Sequence, residues 1–461
     1  MDDCRFESEA ELGGFDILLA ALGFVLHEAA LFAAFGFLLL GLSDLLVDLI
    51  WLGLGFARLG RPAPPPPRAE RPGRLAVFVP AWDEAAVIGQ MLTHAQAMFG
   101  ERDYLLYVGC YPNDPATIAA VRAAAGPRVR LVVGPAPGPT CKADCLNFLW
   151  ERMRSDEAAE GVRIKAVVLH DAEDVVHSAE LPLFDALVER FDLVQLPVLP
   201  LIDPASRWIS SVYADEFAEA HGKELVVRQA VGASLPSAGV GCAVSRPALE
   251  ELAQRHGAPF DPGSLTEDYE LGLRLKALGC RAAFVRMPTG PGRSVIATRE
   301  YFPATLDAAA TQRARWIAGI ALAGWDRLGW QGGLAERWMR LRDRQSLLAA
   351  LVLAAAYLAL GLFVTLTAVE WLGGPARPGF GPALDLLLAI NALLFLWRLT
   401  MRFGFVAAAY GWREGVRALP RTVTANILSM IAARRALARY LSGRTRWDKT
   451  AHAFPQSLPA E

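Results

Sequence analysis

Four clusters of residues combine types and spacings that could do chemistry. Asp171-Ala172-Glu173-Asp174 closes an apolar run, Val167-Val168-Leu169-His170. Three carboxylates at the end of a buried strand repel one another unless a cation or hydrogen bonds offset them. Hard divalent ions such as Mg2+ or Mn2+ do so while sharing oxygen ligands with a phosphate. Asp171, Glu173 and Asp174 are therefore candidate metal ligands, against the plainer reading of an acidic loop or helix cap. Thr266-Glu267-Asp268 precedes a helical run at residues 269–278. Thr266 can cap that helix and acids suit its first turn, while a carboxylate there can also accept a proton from an incoming hydroxyl. Gln312-Arg313-Ala314-Arg315-Trp316 sets guanidinium forks, which suit a diphosphate, beside an indole that can face a sugar ring. With Trp325 and Trp330 downstream, the same stretch also reads as an interfacial helix with solvated arginines. Lys142 opens Lys142-Ala143-Asp144-Cys145-Leu146-Asn147 and either meets a phosphate or is solvated. The small-residue stretch 237–242 allows close backbone approach to a ligand, or is a tight turn. His170, His177 and His221 are too scattered to form a metal cluster and are assigned no role beyond packing or local hydrogen bonding.

Short apolar runs at residues 75–80, 104–109, 129–133, 165–170 and 193–197 alternate with helical periodicity around 84–98, 115–125, 142–154 and 205–230. Strands apolar on both faces and separated by helices predict an α/β domain, a mostly parallel sheet covered on both sides. Ligands of such sheets bind at the carboxyl ends of the strands. The polar groups Trp82-Asp83-Glu84, Pro112-Asn113-Asp114 and Asp171 to Asp174 fall there. No Gly-x-Gly-x-x-Gly or Walker loop follows the first strand, which argues against dinucleotide and ATPase readings.

The chain of 461 residues is 53% hydrophobic, with the excess at its two ends. Residues 15–56 are almost continuously apolar apart from His27, Glu28, Asp44 and Asp48. The expected partition is a surface helix, a span near 29–42 and an amphipathic continuation. Further spans are expected at 347–369 and 383–410. Arginines cluster after the first segment (Arg58, Arg61, Arg68, Arg71, Arg74), before the second span (Arg337, Arg340, Arg342, Arg344) and after the third (Arg413, Arg417, Arg421, Arg434, Arg435). The positive-inside rule then puts residues 58–346 and the C-terminus in the cytoplasm. The acidic first eleven residues argue against a cleaved signal peptide, and prolines 64–67 make a stiff spacer. With 46 basic and 48 acidic residues, no nucleic-acid partner is indicated. The six cysteines show neither zinc nor redox spacing and are expected to be reduced thiols. The expected organisation is 1–60 membrane and interfacial helices, 61–74 linker, 75–300 catalytic domain, 301–346 interfacial helices, 347–412 transmembrane helices and 413–461 basic amphipathic tail.

The order Val79-Pro80-Ala81-Trp82-Asp83-Glu84, Lys142 to Asn147, Asp171 to Asp174, Thr266 to Asp268 and Gln312 to Trp316 resembles the membrane-bound, processive branch of family 2 glycosyltransferases. Tyr111-Pro112-Asn113-Asp114-Pro115, Arg299-Glu300-Tyr301-Phe302-Pro303 and Trp447-Asp448-Lys449-Thr450 narrow the resemblance to an inner-membrane subgroup implicated in making a secreted polysaccharide. Longer members of that subgroup carry a cyclic-di-GMP-binding region, which is not expected in a chain that stops at Glu461. The resemblance implies a GT-A domain between N- and C-terminal transmembrane helices, a nucleotide-diphosphate-sugar donor and inverting transfer with Mn2+ or Mg2+. It implies a growing glycan or lipid-carrier acceptor, the bilayer as partner and room for an outer-membrane export partner. On this basis Asp268, with Glu267 and Thr266, is the catalytic group. Pro80, Trp82, Glu84, Asp114, Lys142, Asp171 and Arg315 meet the nucleotide sugar; Gln312, Arg313 and Trp316 meet the acceptor; and Asp171, Glu173 and Asp174 hold the metal. The usual second-strand aspartates are replaced by Gly109-Cys110-Tyr111, so Asp83 or Asp114 would have to read the base. The alternatives are single-sugar transfer to a lipid carrier and a scaffold or phage-receptor component of an export complex.

Overall fold

The computed structural model describes residues 14–59, 65–290, 294–377, 379–442 and 452–455. Cys4, Arg61, Pro64 and Trp447 to Thr450 lie outside the described residues. The five described cysteines, Cys110, Cys141, Cys145, Cys242 and Cys280, are free thiols. Two compact units are present, residues 1–46 with 348–399 and residues 47–347 with 400–461.

The first unit is helical. It contains most of α1 (Gly14–Arg58), which runs unbroken because no proline interrupts its 45 residues. With it go α13 (Ser346–Trp371) and the first part of α14 (Pro382–Tyr410). All three helices are long and apolar enough to cross a membrane. Leu26, Ala30 and Ala34 pack with Ala359, Leu366 and Leu384, and Asn391 Nδ2 donates to the Ala34 carbonyl at 2.8 Å.

The second unit is built on a seven-stranded sheet in the order β3-β2-β1-β4-β6-β5-β7. β1 (Leu75–Pro80) and β2 (Tyr104–Cys110) are buried along their whole length, as continuous apolar runs between helical layers must be. β1 pairs in parallel with β2 and with β4 (Ala166–Leu169), and β3 (Val129–Val133) extends that edge. Alternate residues feed opposite faces. Val77 and Val79 join a core with α2 (Ile88–Phe99), α3 (Pro115–Ala124) and α5 (Glu180–Leu187). Ala76 and Phe78 join another with α4 (Lys142–Glu160), α8 (Arg246–His256) and α9 (Glu267–Ala277).

Two strands escaped the sequence patterns. β6 (Cys242–Ser245) runs antiparallel between β4 and β5 (Leu193–Gln195), and β7 (Ala282–Phe284) is parallel to β5. At four and three residues they are too short to show periodicity. The helical part of this unit includes α6 (Ser210–Glu219), which continues through a π-helical turn, Ala220–Glu224, into α7 (Leu225–Ala230). α10 (Leu306–Ile317) similarly passes through a second π segment, Ala318–Ala323, into α11 (Gly324–Leu328). α12 (Leu334–Arg344) and the amphipathic α15 (Trp412–Leu441) complete the unit.

Candidate active site

One cleft gathers most of the expected residues at the carboxyl ends of the strands. Pro80 ends β1 and Glu84 follows it, Asp171 and Glu173 follow β4, and Lys142 opens α4. Thr266, Glu267 and Asp268 stand at the start of α9, while Gln312, Arg315 and Trp316 come from α10; all eleven line the cleft. Four expected residues do not line it. Asp174 turns into the core, where its Oδ2 meets His170 Nδ1 at 2.7 Å and accepts from the Asp171 N–H. Asp114 accepts from the Asp83 and Thr117 N–H groups at 2.7 and 3.2 Å, so it caps α3 and pins the β1 loop. Trp82 lies edge-on to Tyr111, with ring centroids 5.3 Å apart. Arg313 points to Glu216 on α6 and Ser429 on α15.

The acids are held by structure around them. His170, wholly buried, lies between Asp174 and Glu180, 2.7 and 3.3 Å away. Burial alone would depress its pKa, but the two carboxylates outweigh it and hold the ring cationic to about 10. This cation anchors the turn that carries Asp171 and Glu173. The turn is also zipped to residues 298–300 by paired backbone bonds between Val175 and Arg299, which brings Glu300 to the cleft. Burial, followed by repulsion from Asp174, Glu173 and Asp171, drives Glu300 well above the usual carboxylate range. Lys142 Nζ sits 2.5 Å from Asp171 Oδ1. Its pKa is raised despite burial, because Asp171, Glu267 and Asp268 all face it. Glu267 is lifted to about 7 by burial and by Asp268, with Lys142 and Arg315 opposing.

Asp268 is reached by a loop that only glycine allows. Gly239 has φ +77°, and a Cβ there would lie 2.6 Å from Asp268 Oδ2. Thr266 occupies the N-cap position of α9, yet its side chain makes no capping bond. Ser264 serves that turn instead, accepting from the Thr266 N–H and donating to Glu270. The Thr266 hydroxyl is left buried and unpartnered, as are Gln312 Oε1 and Glu173 Oε2. Buried polar atoms are ordinarily paired, so three orphans around one cleft mark a place made for a polar ligand.

A metal has a donor set here. Oxygens of Glu84 and Glu173 and a ring nitrogen of His452 lie within 4.8 Å of one another. His452 Nδ1 is 2.9 Å from Glu84 Oε1 and 3.1 Å from Glu173 Oε1. Burial opposes its protonation, but Glu173 and Glu84 prevail and raise the pKa to about 10. The short segment bearing it is seated by Phe454, which packs against His94 on α2.

A model of the glycosyltransferase-like family 2 matches residues 72–319, the stretch that spans the strand-end acids, the Thr266 to Asp268 triplet and Gln312 to Trp316. The chain belongs to that family. Bacteriophage adsorption protein B of Escherichia coli strain K12 is 38% identical over 408 residues, 83% of this chain. Bacteriophage N4 adsorption protein B of Escherichia coli O157:H7 gives the same figures. The chain spans about half the length, 55%, of these curated relatives. Among solved structures, the mannosyltransferase PcManGT from Pyrobaculum calidifontis, in complex with GDP-Man and Mn2+, has a TM-score of 0.52 at 18% identity. The match covers 92% of this chain and 99% of that one. The fold of this family 2 glycosyltransferase is therefore GT-A, with apolar helices N- and C-terminal to it.

Two residues of the site were missed from sequence. Glu300 belongs to Arg299-Glu300-Tyr301-Phe302-Pro303, a stretch whose resemblance assigns it no role. His452 lies just past Trp447-Asp448-Lys449-Thr450, another stretch that carries the resemblance. The signal was present as motif, but spacing alone could not carry a group from the far end of the chain to the ends of β1 and β4.

Proposed function

We propose that this chain transfers a sugar from a nucleotide-diphosphate donor to an acceptor hydroxyl, with inversion, at a membrane. The observation that carries the reading is the single cleft that joins a candidate base, Asp268, to two cations, Lys142 and Arg315, and to a ring, Trp316. In this reading Glu84, Glu173 and His452 hold a divalent ion, which would offset negative charge on the diphosphate. An imidazole among the ligands favours Mn2+ over Mg2+.

The chain's own groups supply the rest. Arg315 makes no hydrogen bond or ion pair among the described residues, so its guanidinium is available to the departing diphosphate. Lys142, placed between Asp171 and the Glu267–Asp268 pair, adds a second positive charge where charge develops. Asp268 takes the proton of the acceptor hydroxyl. Thr266 Oγ1 and Gln312 Oε1 accept from sugar hydroxyls, and Trp316 gives the acceptor an apolar face. The corner formed by Trp82, Asp83, Tyr111 and the Asn113 side chain paired with the Gly138 backbone takes the base. The three apolar helices support a membrane location; in this reading the chain is a bacterial inner-membrane protein that extends and exports an exopolysaccharide, with its catalytic unit in the cytoplasm.

The test is release of nucleoside diphosphate by detergent-purified protein with Mn2+ and a panel of UDP- and GDP-sugars, wild type beside Asp268→Asn. Metal-dependent release from one donor, lost in the variant, supports the reading. Release that persists in the variant overturns the role of Asp268. No release from any donor favours a scaffold.

A further inference from the structure

Arg313 lies inside the Gln312 to Trp316 stretch but does not face the cleft. Its guanidinium is almost wholly buried and gripped by both oxygens of Glu216, at 3.0 and 2.5 Å. Ser429 Oγ accepts a further bond at 3.1 Å, and the Tyr213 ring lies beneath, 5.3 Å from the cation. Glu216 belongs to α6, whose acids hold arginines from three helices. Asp215 takes Arg421 of α15 at 2.6 and 2.8 Å, Glu216 takes Arg313 of α10, and Glu219 takes Arg402 of α14 at 2.7 Å.

The same helix also seats the motif tryptophan. Trp316 meets Tyr213 edge-on at 5.8 Å and Phe217 at 6.4 Å, and Tyr213 Oη donates to the Ala309 carbonyl at 3.0 Å. At the other end of the motif, a Cβ on Gly319 would lie 2.6 Å from the Thr266 side chain, so the π segment abuts the turn that leads to Asp268. Arg315 and Trp316 thus stand between two fixed contacts, Arg313–Glu216 before them and Gly319–Thr266 after them.

We infer that Arg313 is a positioning residue: its ion pair with Glu216 sets the reach of Arg315 to the diphosphate and the angle of Trp316. Losing Arg313 removes the contact that ties α10 to α6, and losing Glu216 leaves the guanidinium, itself mostly buried, without its counter-charge; either change lets α10 shift. A displacement of about 1 Å in a site of this kind costs on the order of a hundred-fold in rate. The inference rests on the proposed role of Arg315.

The test uses the full chain in detergent and titrates UDP and GDP in the presence of Mn2+ by calorimetry. Arg315→Ala, Arg313→Ala and Glu216→Gln are compared with Arg421→Ala, which breaks a neighbouring pair on the same helix without touching α10. Arg313→Ala is expected to weaken diphosphate binding about ten-fold, and Glu216→Gln less. Arg421→Ala should lower the melting temperature and leave affinity within about two-fold. Arg313→Glu combined with Glu216→Arg should recover affinity. Wild-type affinity in Arg313→Ala and Glu216→Gln, beside a loss in Arg315→Ala, overturns the inference alone. Equal losses in Arg313→Ala and Arg421→Ala also overturn it, as a general effect of destabilisation. Unchanged affinity in Arg315→Ala overturns the diphosphate reading and the inference with it.

Discussion

The two walls of the cleft are made by different physics. The strand-end wall carries Glu84, Asp171, Glu173 and the Gly239 loop. It is fixed by backbone ladders between buried strands, parallel among β2, β1 and β4 and antiparallel between β4 and β6. The helical wall carries Gln312, Arg315 and Trp316 and rests on side-chain pairs, chiefly Arg313–Glu216 and the rings of Tyr213 and Phe217. A ladder shares its load over many bonds, so one substitution there acts locally. A wall that rests on a few side-chain contacts can be moved by one substitution. Asp268 sits where the walls meet, touching the Gly239 loop on one side and following Thr266 on the other.

The largest effect should come at that meeting point. Asp268→Asn keeps shape and removes the proposed proton acceptor, so turnover should fall on the order of 10²–10⁴-fold. Donor binding, read by calorimetry with UDP or GDP and Mn2+, should stay near wild type. If both fall together, Asp268 serves the architecture of the two walls rather than the proton.

The walls also differed in how they could be read from sequence. β1, β2, β3 and β4 announce themselves as apolar runs, and the acids after them follow from the rule that ligands bind at carboxyl ends of parallel strands. The placing of Asp171 and Glu173 at the cleft was legible in this way. Asp174 was not distinguishable from them, because its turn into the core depends on the buried His170, which Glu180 at the start of α5 holds from its other side. On the other wall, the Gln312 to Trp316 motif was legible as a set of types. Helical periodicity alone did not separate Arg315, which faces the cleft, from Arg313, which faces α6. That separation needs Glu216, and no local pattern links residues 97 positions apart. His452 is the extreme case, 368 positions from Glu84.

His452 offers the next test, since it belongs to neither wall. His452→Ala should weaken Mn2+ binding by about ten- to a hundred-fold, measured by calorimetry or by loss of the nitrogen coupling in the Mn2+ electron spin-echo spectrum. The pH dependence has a definite sign. Without metal the ring is held protonated to about 10 by Glu173 and Glu84, and that proton must leave before the nitrogen can bind. Affinity should therefore rise with pH, by about ten-fold per unit for one proton released. The slope should be shallower in His452→Ala. Equal slopes and a retained nitrogen signal would remove His452 from the ligand set.

A smaller effect sharpens the contrast from the strand-end side. Gly239→Ala places a Cβ at φ +77° and within 2.6 Å of Asp268 Oδ2. The left-handed conformation alone costs an alanine about 1–2 kcal/mol, and the clash must push the carboxylate. The expected result is a rate reduced more than the melting temperature would suggest, with Mn2+ affinity unchanged. A rate that simply tracks stability would mean that the loop does not set Asp268.

The smallest effect lies far from both walls, where the proline-rich approach meets the sheet. Glu189 accepts from the Glu70 and Arg71 N–H groups at 3.1 and 2.9 Å and from Lys165 Nζ at 2.8 Å. Lys165 foremost, then the Arg71 N–H, depress its pKa from 4.5 to about 2. A depressed carboxylate contributes stability that is fully present above about pH 4.5 and is lost as pH falls toward 2. Acid should therefore free residues 70–73 before the sheet melts, seen as faster amide exchange there below about pH 4.5. Glu189→Gln should show that exchange already at neutral pH, and the cleft, held by ladders that the linker does not join, should keep its Mn2+ affinity. A linked loss of affinity would mean that the strand-end wall is less independent than its backbone ladders make it.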